Sequence, residues 1–239
     1  MPAKSTTNSL NVPRMIRSLL LALFFLPFTA AAQFGVSYQY QLHQTAAWSA
    51  ALAEALGRNN VDFLPNGHRY EVDYWLKVLP ENRLEIMPAL TYATADYTLD
   101  RDRWQLRSYG AALNINLYPL DWAGDCDCPV WSKSEPVFKK GFFLQLSPGW
   151  RSTTFEHDRT VGNQTTTAGG KQQNGYLGAG AGLDIGLSDL ITLSPLVRYV
   201  HVFDAAWPGL VGPAEEPATV DGNFSQWEFG VRLGIRLDQ

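Results

Sequence analysis

Four histidines, His43, His68, His157 and His201, are the residues best suited to move a proton near neutral pH. Acids stand close to them in sequence: Asp62, Glu156, Asp158 and Asp204. General acid–base chemistry needs one imidazole within hydrogen-bond reach of a partner, and no spacing motif fixes such a pair here. The second unusual feature is Asp125-Cys126-Asp127-Cys128-Pro129, which holds both cysteines of the chain. In an oxidising compartment the two thiols could staple their loop, although a single intervening residue strains that geometry. Two thiolates are too few for a specific metal site, and a bond to another chain is the third reading. No catalytic residue, cofactor-binding residue or metal ligand is therefore assigned from residue type and spacing.

The elements that must position these residues read as strands. Gln226 to Asp238 places Trp227, Phe229, Val231, Leu233, Ile235 and Leu237 on one face. Glu228, Gly230, Arg232, Gly234, Arg236 and Asp238 fall on the other. Side chains alternate across a strand, so one face is apolar and one charged. About a dozen residues in this register is enough to cross a bilayer as a tilted strand. Seven earlier stretches repeat the pattern. They run through Phe34–Leu42, Tyr70–Val78, Leu84–Tyr92, Ser108–Leu117, Phe142–Arg151, Leu177–Leu187 and Ile191–Tyr199.

Between the first two strands the period changes. Thr45 to Leu56 carries Trp48, Leu52, Ala55 and Leu56 at helical spacing, and Gly57 supplies a stop. A self-packed loop helix is the reading preferred for this segment. A cap over the barrel mouth, an interfacial helix and a partner site are the alternatives. Glu156–Gln173 and Asp204–Asn223 read as polar or Pro/Gly-rich loops. Pro88, Pro148 and Pro195 interrupt strands three, five and seven, where a bulge would accommodate a missing ladder donor.

The eight charged faces share Arg69, Lys77, Arg83, Arg107, Arg151, Arg198, Arg232 and Arg236 with Glu71, Asp73, Glu85, Asp184 and Glu228. A soluble sandwich would bury eight apolar faces and spread these charges over its surface. A closed barrel in a membrane instead requires apolar residues outside, and closure removes the sheet edges that lipid cannot satisfy. With eight strands the interior is narrow and filled by side chains, here expected to be a polar core of paired charges. Tyr40, Tyr70, Tyr92, Trp104, Tyr118, Trp150, Tyr176, Tyr199, Phe203 and Trp227 lie near strand ends, where interfacial girdles are expected. The expected fold is all-β, an eight-stranded antiparallel transmembrane barrel with a short amphipathic helix in its first external loop.

Composition agrees. Aromatics make up 13% and charged residues 18% of 239 residues, with 20 glycines. A net charge of −4 without a basic block gives no reason to expect nucleic acid. Arg14 and Arg17, the apolar run Leu19–Phe28 and Ala30-Ala31-Ala32 read as a cleaved export signal over residues 1–32. The barrel domain is then 33–239, with both termini on the periplasmic side.

On Leu177–Leu187 (LGAGAGLDIGL), the terminal strand Trp227–Leu237 and the repeated two-faced pattern, the chain resembles the small outer-membrane β-barrel domain family, the OmpA/OmpX-like porin-fold group of Gram-negative bacteria. The resemblance covers nearly all of 33–239. It implies outer-membrane lipid and the barrel-assembly machinery as partners, and a further partner met through the external loops. It implies no cofactor. That machinery reads an amphipathic last strand that usually ends in an aromatic residue, whereas this chain ends Leu237-Asp238-Gln239. The function expected is a non-enzymatic envelope or binding role with at most a very narrow pore. The alternative is an enzyme at the external rim, of the lipid A-modifying or omptin-like kinds, which place His with Ser or Asp there.

Overall fold

The computed structural model describes residues 33–79, 84–120, 141–161, 164–188, 190–211 and 218–236. Residues 1–32, which read as an export signal, Arg83, Cys126 and Cys128, the final three residues and the side chains of Lys77 and Arg236 lie outside the described part. The strands are β1 (Gln33–Gln44), β2 (Asn66–Leu79), β3 (Leu84–Leu99), β4 (Asp102–Leu117), β5 (Phe142–Val161), β6 (Gln164–Leu183), β7 (Ile185–Gly186), β8 (Ile191–Val211) and β9 (Ala218–Arg236). One helix, α1 (Ala46–Ala55), follows β1. Neighbouring strands pair antiparallel in the order β6-β5-β4-β3-β2-β1-β9-β8-β7, and β6 also pairs with β8. That last pairing closes eight long strands into a barrel. β7 is a two-residue remnant: the expected sixth strand Leu177–Leu187 breaks at Asp184, whose side chain accepts from Ser194 Oγ (2.5 Å).

The outward face is apolar along every strand. Val36, Val72, Leu90, Leu113, Leu146, Leu177 and Leu233 are all exposed, Leu90 to 72%. An exposed apolar surface that surrounds a closed sheet is a lipid-facing surface. Tyr38, Tyr70, Tyr92 and Tyr109 stand opposite one another across β1–β4, with ring centroids 5.6, 6.3 and 4.9 Å apart. Trp150, Tyr199 and Trp227 are also exposed on this surface, the last two 5.1 Å apart. Three aromatics assigned to the girdle from sequence are inside instead. Trp104, Tyr118 and Tyr176 are buried, because each shares the strand parity of inward-facing neighbours such as Asn114, Asn116 and Asn174. Arg107 is corrected in the opposite direction. It is exposed while Ser108 beside it is buried, so it belongs to the outer face above Tyr109.

Two segments expected as loops are strand. β5 and β6 pair without interruption from Phe142↔Leu183 to Val161↔Gln164, and β8 and β9 extend their pairing to Val211↔Ala218. These strands run 19 to 21 residues. A tilted crossing takes about 9–11 residues, so roughly half of each hairpin stands clear of the membrane. Both faces of such a hairpin can be wet. The alternation that marks a strand in sequence therefore fades there. The register shifts in β8 and β9 fall between Val202 and Ala205 and between Trp207 and Val211. They bend the β8–β9 hairpin inward and bury Trp207 and Leu210.

The prolines produce no bulge. Pro88 keeps its place opposite Leu113, and β2–β3 pairing skips from Asp73↔Ala89 to Leu76↔Ile86 in unchanged register. Pro148 does the same between Ala112↔Gly149 and Ile115↔Leu146. A proline on the outer face thus removes one donor and opens a short gap in one ladder, without shifting the strand.

Candidate functional site: a two-layer barrel interior and its mouth

The interior is a stack of two chemically different layers. The lower layer, toward the start of β1 and the end of β9, is charged. Glu228, fully buried on β9, accepts from Arg198 Nε (2.7 Å) and Gln41 Nε2 (2.8 Å). It also accepts from Gln226 Nε2 (2.6 Å) and, more distantly, Arg69 Nη1 (3.5 Å). Arg198 Nη1 reaches Asn114 Oδ1, Gln145 Oε1 and Ser147 Oγ at 3.1–3.2 Å, and its Nη2 reaches Gln39 Oε1 at 3.2 Å. Arg69 Nη2 donates to Glu71 (3.0 Å) and to the Tyr176 hydroxyl (2.9 Å), and Asn114 Nδ2 donates to Glu71 Oε1. Two guanidinium groups and two carboxylates are therefore knitted across the barrel. Nearer the terminal end, Arg232 pairs with both oxygens of Asp73 (2.6 and 2.8 Å), and the Tyr118 hydroxyl stands between Glu85 and Asp184.

The glycine run of β6 makes room for this layer. A Cβ at Gly178 would press on the Arg198 stem and Ser147, one at Gly180 on the backbone of β8, and one at Gly182 on the Phe143 ring. The alternating glycines of LGAGAGL leave the inner face of β6 without side chains, and Arg198 occupies that space.

The upper layer is aromatic, which the sequence reading of a polar core did not include. Trp48 and Leu52 of α1 project down into the mouth and are each 1% exposed. Trp48 packs on Phe155 (6.0 Å between ring centroids), Trp207 (5.5 Å) and Phe224 (5.0 Å). Phe63, from the segment after α1, packs on Trp207 (5.1 Å) and Trp104 (5.7 Å). The helix is held at its start by Thr45 Oγ1, which donates to the Phe63 carbonyl at 2.6 Å. It ends at Gly57 with φ +62°. The helix therefore caps the mouth and is not self-packed. Its apolar stripe needed a partner, and the inturned β8–β9 hairpin with the inner faces of β4 and β5 supplies it.

The four histidines do not converge. His43 and His157 face inward, while His68 and His201 face outward. His43 Nδ1 donates to the Leu64 carbonyl (3.0 Å), and His68 Nδ1 lies 2.8 Å from the Tyr38 hydroxyl. His157 Nδ1 donates to the Gly209 carbonyl (3.2 Å), which fastens β5 to the inturned part of β8. Its Nε2 is 3.4 Å from Asp102 Oδ1, at ion-pair distance but outside hydrogen-bond geometry, and its ring stacks on Trp104 at 4.6 Å. Neither His157 nitrogen is open to a substrate. His201 Nδ1 is 2.9 Å from Ser225 Oγ, on the outer surface beside Phe203. Ser225 escaped the sequence reading because the contact crosses strands. The only sequence signal is its parity with Trp227, which puts it outside.

No family model matches the sequence, and no curated protein matches it. Among solved structures, Ail, the attachment invasion locus protein of Yersinia pestis, is similar at 8% identity and TM-score 0.45, over 86% of this chain and 98% of that one. A major outer membrane protein of Thermus thermophilus is similar at 12% identity and TM-score 0.47, over 87% and 100%. The outer membrane protease OmpT of Escherichia coli is similar at 6% identity and TM-score 0.40, over 87% and 97%. Likeness this distant does not bear on function, and the fold rests on this chain's own closure, apolar outer surface and tyrosine belt. By those features the chain is a closed, eight-stranded transmembrane β-barrel of the outer-membrane type.

Proposed function

We propose that this protein is a non-enzymatic, non-conducting barrel of the outer membrane that displays its two long hairpins, β5–β6 and β8–β9, to an envelope or extracellular partner. The observation that carries this reading is the double filling of the interior. A barrel meant to pass solutes has no use for an aromatic plug above a cross-bonded charge layer. Hairpins that continue about ten residues past the membrane, on a rigid capped base, present polar strand surface at a fixed height. Thr165, Thr166 and Thr167 are exposed near the tip of the first hairpin. Outer-membrane lipid is the partner of the apolar wall, and insertion by the barrel-assembly machinery belongs to the same reading.

Planar-bilayer recording tests the non-conducting half. The purified barrel is expected to give no unitary steps above background, and a reproducible step conductance would refute it. Replacing the β5–β6 tip by a two-residue turn tests the display half. The heat-dependent gel shift of a folded barrel should survive while partner binding is lost.

The enzymatic alternative has one specific observation in its favour, the Ser225–His201 contact on the outer face. A serine hydroxyl beside an imidazole at the level of lipid headgroups is the start of an acyl-ester hydrolase. No carboxylate orients His201 among the described contacts, so the pair is a weaker nucleophile than a triad. Ser225→Ala and His201→Ala are expected to leave the ester content of co-incubated lipopolysaccharide unchanged relative to wild type. A wild-type activity lost in both variants would establish the alternative.

A further inference from the structure

Arg151 is 6% exposed on the inner face of β5, where the charged layer meets the aromatic plug. Its guanidinium lies over the Phe224 ring, with Cζ 4.7 Å from the centroid, and neither Nε nor Nη2 has a hydrogen-bond partner among the described residues. The other described interior arginines, Arg69, Arg198 and Arg232, each pair with a carboxylate at 3.5 Å or less. An unpaired buried cation is costly, so its place in a folded interior calls for a counter-charge. Two acceptors at the same level are also unpaired. Asn174 Oδ1 belongs to the residue opposite Arg151 on β6, and Gln226 Oε1 to the residue two positions along β9 from Phe224.

The wall beside this group is weak. Backbone pairing between β6 and β8 stops at Tyr176↔Val202. Above it the seam is bridged by side chains, with Asn174 Nδ2 donating to the carbonyls of Phe203 and Asp204 and Gln172 Nε2 to Asp204. Trp150, next to Arg151 but facing lipid, marks this height as the membrane interface. A buried arginine with no carboxylate at ion-pair distance among the described residues thus lies behind a stretch of wall where the β6–β8 ladder gives way, at the level of lipid headgroups.

We propose that Arg151 is the anchor of an anion site that takes a phosphate-class oxyanion, free or carried on a lipid headgroup. The guanidinium supplies two donors to phosphate oxygens, and the amide oxygen of Asn174 or of Gln226 accepts the one O–H of a singly protonated phosphate. Chloride or a bare carboxylate would satisfy the arginine but leave both amide oxygens unpaired.

The test compares wild type with Arg151→Gln, both refolded in nonionic detergent, by thermal unfolding. Inorganic phosphate is titrated against chloride at constant ionic strength. A second pair of samples sits in phosphatidylcholine vesicles with or without phosphatidic acid. Without phosphate, R151Q is expected to be as stable as wild type or more so, since it removes an uncompensated charge. With phosphate at a hundredfold excess over Kd the wild-type midpoint should rise by roughly 5 °C or more, and that of R151Q should not move. A rise with inorganic phosphate identifies a free anion, and a rise only with phosphatidic acid identifies a headgroup. If neither probe moves the wild-type midpoint, Arg151 is satisfied by Asn174 and Gln226 and the proposal is overturned. Should R151Q fail to refold, the wild-type titrations alone still decide, and Arg151→Lys, which keeps the charge, is expected to retain a smaller rise.

Discussion

Replacing Glu228 by Gln is expected to destabilise the barrel by about 3–5 kcal/mol, read as a lower urea midpoint and a lower temperature for losing the compact gel form. Glu228 is fully buried and accepts from Arg198, Gln41 and Gln226 at 2.6–2.8 Å. Neutralising it leaves Arg198 and Arg69 buried with Glu71 as the nearest described carboxylate. The loss comes from stranded cations more than from a missing attraction. A double variant, Glu228→Leu with Arg198→Met, should therefore regain most of the stability, because it removes both sides of the pair and leaves apolar groups of similar size. An unfolding free energy for E228Q, taken from its urea transition, within about 1 kcal/mol of wild type would show that water relieves the layer and that the network is not what seals the barrel.

What could be read from sequence, and what could not, follows from the reach of each physical signal. Alternation is a property of the backbone, so the wall was legible from Phe34 to Ile235 wherever lipid stands on one side and packed side chains on the other. It failed in the described parts of Glu156–Gln173 and Asp204–Asn223, which read as loops. There the hairpins leave the membrane or fold inward, and neither face has a fixed solvent. Trp104, Tyr118 and Tyr176 were misplaced because closeness to a strand end outweighed parity. Counting in twos from Asn114 puts Trp104 and Tyr118 inside. The charged layer was legible as composition, but not its pairing. That Arg198 meets Glu228 and Arg232 meets Asp73 depends on register across four strands. The helix was legible as an amphipathic segment, while its partner surface was not. Trp207 and Phe224 are far from Trp48 in sequence, and Trp207 lies in what reads as a Pro/Gly-rich loop that ends just before Phe224.

The helix also carries the second large effect. Trp48→Ala removes a side chain 1% exposed and in contact with Phe155, Trp207 and Phe224, a change worth about 3–5 kcal/mol in a packed core. The loss should be local. α1 meets β8 and β9 only above the charged layer, and the strand ladders close without it. Limited proteolysis is thus expected to cut within residues 45–65 in W48A and not in wild type, while the heat-dependent gel shift is retained. Trp227→Ala is the control: it removes a similar ring from the outer face, where lipid replaces the lost contacts, and should leave 45–65 protected. In bilayers W48A should remain silent, because the layer of Arg69, Glu71, Arg198 and Glu228 still spans the lumen beneath the opened mouth. Steps seen in W48A alone would mean that the aromatic plug is the only seal. Steps seen only when W48A is combined with E228Q would mean that the two layers seal the barrel independently, as their separate chemistry and separate strand positions require.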